Sequence, residues 1–220
     1  MNDSIEQSGP KRFDPARLRV ATEDRDHSWA LADRILMQVC RDHPTHSDRA
    51  AVNAKLLIIG RSYATGIERK VPTDGSQGSA LSKVAALLFS RAGEVDNLIS
   101  ALPSNADHLS FEMLETILVS HGRLVELLKD VTRNRESARS FASKYLHFHR
   151  PVVPVYDSVT ASVIPKLIRW RVDHAIVPWR IPMEETYHTF VMRFWQLCLL
   201  ARGAGENPTV KELDYYLMSE

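Results

Sequence analysis

Asp157 lies in the stretch SARSFASKYLHFHRPVVPVYDSVTASVI, residues 137–164. Helical spacing runs up to His149. Pro151 and Pro154 then stiffen an extended connector, and Ser158 opens a new helical pattern. A single acid at such a helix mouth has two possible jobs. As an N-cap it accepts hydrogen bonds from backbone N–H groups that the first turn leaves unpaired. As a catalytic carboxylate it is held rigidly, kept ionised by the helix dipole and pointed into a cleft. Lys144, near the middle of the preceding helix, could add an amine to that chemistry. A lysine there also has an ordinary role, its stem lying on the protein and its ammonium in water.

Basic residues gather around this acid. Residues 131–180 carry nine Lys/Arg against three Asp/Glu, a local excess of +6 in a chain whose formal net charge is +1. A polyanion such as DNA needs only a local patch of this kind. Arginines at this density also make an ordinary solvated face.

The helix, the connector and the acid together resemble the active-site segment of the helix-hairpin-helix DNA glycosylases, and in particular their 8-oxoguanine glycosylase branch. The matching residues are Arg150, Pro151, Val152, Val153, Pro154, Val155 and Asp157. The spacing from Pro151 to Asp157 fits. The second proline sits one residue early, and Tyr156 stands between Val155 and Asp157. The likeness is close over this stretch and rests elsewhere on helix pattern alone.

What the resemblance implies is a DNA-binding hydrolase that rotates a damaged or modified base out of the duplex and removes it. Asp157 stabilises positive charge on the deoxyribose as the glycosidic bond breaks, and water or a neutral Lys144 attacks the sugar carbon. Arg133, Arg135, Arg139 and Arg150 hold phosphates flanking the lesion. Phe141, Tyr145, Tyr156 and Trp170 offer stacking surfaces for the base, with Trp179, Phe194 and Trp195 further along. No cofactor and no metal is implied. For each aromatic the plainer alternative is a core position at helical spacing.

Two departures from that family bear on the chemistry. Its hairpin turn is glycine-rich and lays backbone N–H groups on a phosphate, whereas DVTRNRE at 130–136 has no glycine and cannot approach as closely. Its bifunctional members carry a nucleophilic lysine at the hairpin, and Ser137–Arg139 contains none. The chain then uses water, or Lys144 from a new position, or has lost the reaction. The competing functions are therefore a catalytically inactive nucleic-acid-binding or regulatory module of the same fold, and a helical protein–protein interaction protein in which Asp157 is only a cap.

Other constellations are weaker. His147 and His149, two apart on a helix, face different ways and share a metal poorly. His43 and His46 flank Pro44 near Asp42, with no acid or cysteine cluster to complete a site. The stretch GRSYATGIERK, 60–70, lacks the Lys-Ser/Thr pair of a phosphate loop. It reads as a helix end, or as a loop offering Arg61, Tyr63 and Arg69 to DNA or to the pocket.

The elements that must position these residues are helices. Apolar residues recur three and four apart from Trp29 to Cys40, from Val52 to Ile59, from Leu81 to Leu88, from Phe111 to Leu128 and from Tyr187 to Ala201. Ser28, Asp48, Ser79 and Ser110 suit the starts. Gly66, Gly93 and Gly203 suit the stops. Further helices are expected over 135–149, from Asp157 past Pro165, and after Pro208. The fold class is all-α: one multi-helix domain over 27–220, or two helical lobes around a cleft, after a polar tail at 1–26.

Composition agrees with this. Hydrophobic residues make up 44% and charged residues 25% of the 220, which excludes general disorder and supports a core without disulfides or metals. The longest apolar run, Val84–Phe89, is far short of a membrane span. The N-terminus lacks the basic and apolar regions of a secretory signal. Cys40 and Cys198, both among apolar neighbours, suit buried thiols in a reducing cytoplasm.

Overall fold

A computed structural model describes residues 13–23, 27–63, 65–73, 79–168 and 184–219. Among them are eleven α-helices and no strand, so the all-α expectation is met. The helices are α1 (Pro15–Glu23), α2 (His27–Asp42), α3 (Arg49–Leu57), α4 (Ile67–Lys70), α5 (Ala80–Ser90), α6 (Ala92–Ala101), α7 (Leu114–Leu128), α8 (Arg139–His149), α9 (Ser158–Leu167), α10 (Glu185–Gly203) and α11 (Val210–Met218). None is long and apolar enough to cross a membrane.

Side-chain caps mark several helix starts. Asp48 accepts from the Ala50 and Ala51 N–H groups at 2.8 and 3.3 Å and starts α3, and Ser79 accepts from Ser82 and starts α5. Two glycines behave differently from the sequence pattern. Gly66 takes a left-handed φ of +70° and opens α4 instead of closing a helix. Gly93 lies inside α6, and the break falls at Arg91. The boundary drawn at residue 26 also needs correcting: α1 buries Leu18 and packs along α11, so it belongs to the domain.

α8 is the central element. Every residue from Phe141 to His149 is buried, the mark of a helix with neighbours all round. It packs on α7 and on α2, while α11 packs on α1 and α9, and α10 on α7 and α9. Both thiols lie in the interior. Burial, against nearby positive charge, pushes Cys40 and Cys198 up to about 12, which leaves them unreactive.

One local distortion positions the site. After α3 the chain widens into a π-helical turn, Ile58–Ser62, which delivers Tyr63 toward α8. Gly60 lets the Leu81 side chain of α5 pack close against this turn: a Cβ there would sit 2.6 Å from Leu81 Cδ2.

Candidate active site

Lys144 and Phe148 lie one turn apart on the same stripe of α8. The Lys144 side chain is 5% exposed and points inward, not to solvent. Its Nζ donates to Asp157 Oδ2 at 2.8 Å and to the Tyr63 carbonyl at 2.6 Å. The π-helical turn thus feeds the site through a backbone oxygen.

Asp157 performs both jobs that its position allows. Oδ1 accepts the Val159 N–H at 2.9 Å, and the Thr160 hydroxyl accepts the Asp157 N–H at 3.2 Å, which closes a capping box on α9. Oδ2 remains for Lys144. Burial draws the Asp157 carboxyl up, but the Lys144 hydrogen bond, the Val159 N–H and the Lys144 charge outweigh it and hold the acid below its ordinary range. Asp157 is a carboxylate at neutral pH.

The connector that carries this acid is pinned at three points. The Ser143 hydroxyl accepts the Tyr156 N–H at 2.9 Å, His147 Nδ1 donates to the Val153 carbonyl at 2.8 Å, and the Tyr187 hydroxyl donates to the Pro154 carbonyl at 2.7 Å. Burial pushes His147 down to about 4, so the ring is neutral and its Nδ1 proton is free to make that bond.

Lys144 and Asp157 line a cavity of about 480 Å³, within the range of about 300–1,000 Å³ usual for small-molecule sites. Its apolar surface comes from Trp29, Tyr63, Phe148, Val155 and Met218. Trp29 is 49% exposed and meets Tyr63 edge-on at 5.7 Å. Tyr63 packs on Phe148 at 4.7 Å.

A second polar cluster lines the same cavity. Asp33 Oδ1 accepts the Tyr63 hydroxyl, and Oδ2 accepts the Tyr215 hydroxyl at 3.2 Å and Lys211 Nζ at 3.0 Å. Lys211 also reaches Asp214 Oδ2 at 3.4 Å. Burial lowers the Lys211 pKa, but Asp214 and Asp33 together hold it well above the usual lysine range. Asp214 is 3% exposed. Burial raises its pKa, and the charge and hydrogen bond of Lys211 only partly oppose this.

Of the residues singled out in the sequence, Asp157, Lys144 and Tyr63 meet at the cavity. The aromatic choices need correction. Phe141 and Tyr145 are fully buried, and neither lines the cavity. The Tyr145 hydroxyl bonds His46 Nε2 at 2.7 Å, and His46 Nδ1 is 2.6 Å from Asp96. This pair of contacts ties α8 to the loop before α3. Tyr156 packs edge-on against Phe190 and lines a separate hollow beside α10. Trp170 and Trp179 lie outside the described residues.

None of the four arginines lines the cavity. Arg139 donates twice to Glu184 Oε1, at 2.9 and 2.6 Å, and stacks over Tyr156. Arg150 donates to the carbonyls of Leu102 and His149. Both are occupied within the protein. Arg133 and Arg135 are exposed on the turn before α8, and Arg135 pairs with Glu126 at 2.7 Å.

Sequence reasoning missed Trp29, Asp33, Lys211, Asp214 and Tyr215. A signal existed only for the last three. In KELDYY, positions 211, 214 and 215 fall three and four apart and share one face of α11. Nothing along the chain marked that face as pointing toward residue 157. Compared with protein-family models, curated proteins and solved structures, the chain matches none.

Proposed function

We propose that this protein binds DNA and hydrolytically removes a modified base that has been rotated into the cavity. The supporting observation is the Lys144–Asp157 pair on an apolar, aromatic-lined cavity large enough for a nucleotide's base and sugar. The resemblance of residues 137–164, which contain this pair, to the glycosylase segment points the same way.

Asp157 faces the sugar as a fixed carboxylate and stabilises the cationic transition state as the C1′–N bond breaks. Lys144 donates to that carboxylate and to the Tyr63 carbonyl. In this reading it positions the acid, and water is the nucleophile. Trp29, Tyr63 and Phe148 supply stacking surface for an extruded base, whose unstacking costs about a few kcal/mol.

The test is incubation of the full chain with a panel of duplexes that each contain a single modified base, scoring abasic sites. Release of at least one base is expected, with no covalent adduct on borohydride treatment. DNA binding with no release from any duplex would point to the inactive module of the same fold. An adduct abolished by Lys144→Ala would instead make Lys144 the nucleophile.

A further inference from the structure

Arg193 on α10 has a charge that nothing beside it answers. Its side chain is half-buried, and its Nε–H is sealed from solvent with no acceptor among the described residues. No carboxylate pairs with its guanidinium among those residues either. An arginine stays protonated throughout the ordinary pH range. A buried charged donor left without an acceptor costs more than a neutral one, so such a group calls for an explanation.

The surroundings supply one. Arg193 lines a surface hollow of about 270 Å³ between α9 and α10, together with Tyr156, Thr186 and Thr189. Thr186, Thr189 and Arg193 are spaced three and four apart and so share one face of α10. A helical side chain leans toward the N-terminus of its helix, which carries the guanidinium back over Thr189. Neither threonine hydroxyl has a hydrogen-bond partner among the described residues. Glu185 lines the far end. It stands eight residues before Arg193, about 12 Å along the axis, so an anion held by Arg193 and Thr189 does not abut it. Arg139 stacks on Tyr156 but is paired with Glu184, which leaves Arg193 as the available cation of the hollow.

Resting on the function proposed above, we infer that this hollow holds a backbone phosphate of the substrate strand, with Arg193 as its main donor and Thr189 beside it. The ligand class follows from the donors. The arginine fork meets two phosphate oxygens at once, and threonine hydroxyls are regular phosphate partners. The place follows from the chain. Tyr156 lines the hollow, and Asp157, the next residue, lines the cavity. A strand whose extruded sugar meets Asp157 carries its neighbouring phosphates past this hollow.

The test is a set of duplexes with one tetrahydrofuran abasic-site analogue, in which each phosphate near the analogue is replaced in turn by a neutral methylphosphonate. Anisotropy gives the affinity of wild type, Arg193→Met and Arg193→Lys, and a salt series gives the slopes. In wild type one replacement should cost about 10–100-fold, and Arg193→Met should lose nothing further at that position. Arg193→Met should lower the salt slope by roughly one, whereas Arg193→Lys, which keeps the charge, should hold it. Methionine keeps the packed stem, so the melting temperature of Arg193→Met should stay the same or rise. A marked drop makes Arg193 a structural residue and overturns the site. So does an Arg193→Met protein with wild-type affinity and slope, or one that matches wild type at every replaced phosphate. A wild-type scan flat at all positions overturns the backbone contact without any variant. If inorganic phosphate then raises the melting temperature of wild type and not of Arg193→Met, the hollow belongs to a free phosphate instead. DNA binding with none of the expected responses removes this site and leaves the glycosylase function standing. The full set of responses in a protein that releases no base removes that function and leaves the site. Wild type that binds no DNA overturns both.

Discussion

Asp157 divides its two oxygens between the α9 cap and Lys144, so the proposed catalysis and stability meet at one residue. Asparagine would keep the cap on α9, since Asn caps about as well as Asp. It would not keep the charge, and the Lys144 ammonium, 5% exposed, would be left with the Tyr63 carbonyl alone. Asp157→Asn should therefore cut base release by about two orders of magnitude or more. It should also lower unfolding free energy by about 3 kcal/mol, the low end for a broken buried pair because Asp157 is partly exposed. Single-turnover assays and denaturant titration read the two effects separately. The pH dependence has a definite sign. The folded pKa of Asp157 is depressed, so its contribution is complete above the unfolded carboxylate pKa of about 4 and is lost as pH falls through the lower folded value. The stability gap between wild type and Asp157→Asn should close only in strong acid. An Asp157→Asn protein that releases its base at the wild-type rate would falsify the carboxylate mechanism.

The connector between α8 and α9 shows how an element can act at a distance from the chemistry. Tyr187, on α10, holds the Pro154 carbonyl three residues before the acid. Tyr187→Phe removes that bond inside the core and leaves a buried acceptor unpaired, at a cost of about 1–3 kcal/mol. Because the connector aims Asp157, base release should fall while DNA affinity measured by anisotropy stays unchanged. Parallel loss of both would assign Tyr187 to folding alone. This connector was legible in the sequence, since two prolines before an acid and a helix admit few conformations. The amphipathic spacing of α2, α5, α7 and α10 was legible for a similar reason: each shows one apolar stripe. α8 was legible as a helix but not in its burial. Phe141 and Tyr145 sit on faces covered from all sides, and a sequence pattern cannot tell a stacking surface from a core surface when both are aromatic. The contact between Lys144 and Asp157 was less legible still, for it depends on the connector folding back and on a π-helical turn that carries no sequence mark.

At the scale of the whole molecule, the question is how a chain of formal net charge +1 would hold a polyanion. Among the described arginines of the +6 segment, two kinds are found. Arg139 and Arg150 are spent on Glu184 and on backbone carbonyls, whereas Arg133 and Arg135 stand on the surface of the turn before α8. That turn is also strained: Asn134 and Arg135 both take left-handed conformations, φ 49° and 54°, where glycine would rest without penalty. The side chain of Arg135 is thus presented at a backbone cost of about 1–2 kcal/mol. Its exposed contacts with Glu126 and Asp130 are weak enough to exchange for a phosphate. Side-chain charge here would replace the backbone contact that a glycine-rich hairpin makes. DNA affinity should fall steeply with salt, because each neutralised phosphate releases counterions. Arg133→Ala and Arg135→Ala should each weaken binding about equally across sequences and lower the salt slope by roughly one. Arg139→Ala should leave that slope unchanged and instead destabilise the fold, since Glu184, which also caps α10 through the Tyr187 N–H, loses its partly buried partner. Fluorescence anisotropy over a salt series, with melting curves for the same variants, separates the two kinds of arginine. Affinity that is flat with salt, or a slope that moves with Arg139 and not with Arg133 and Arg135, would remove this turn from the DNA interface.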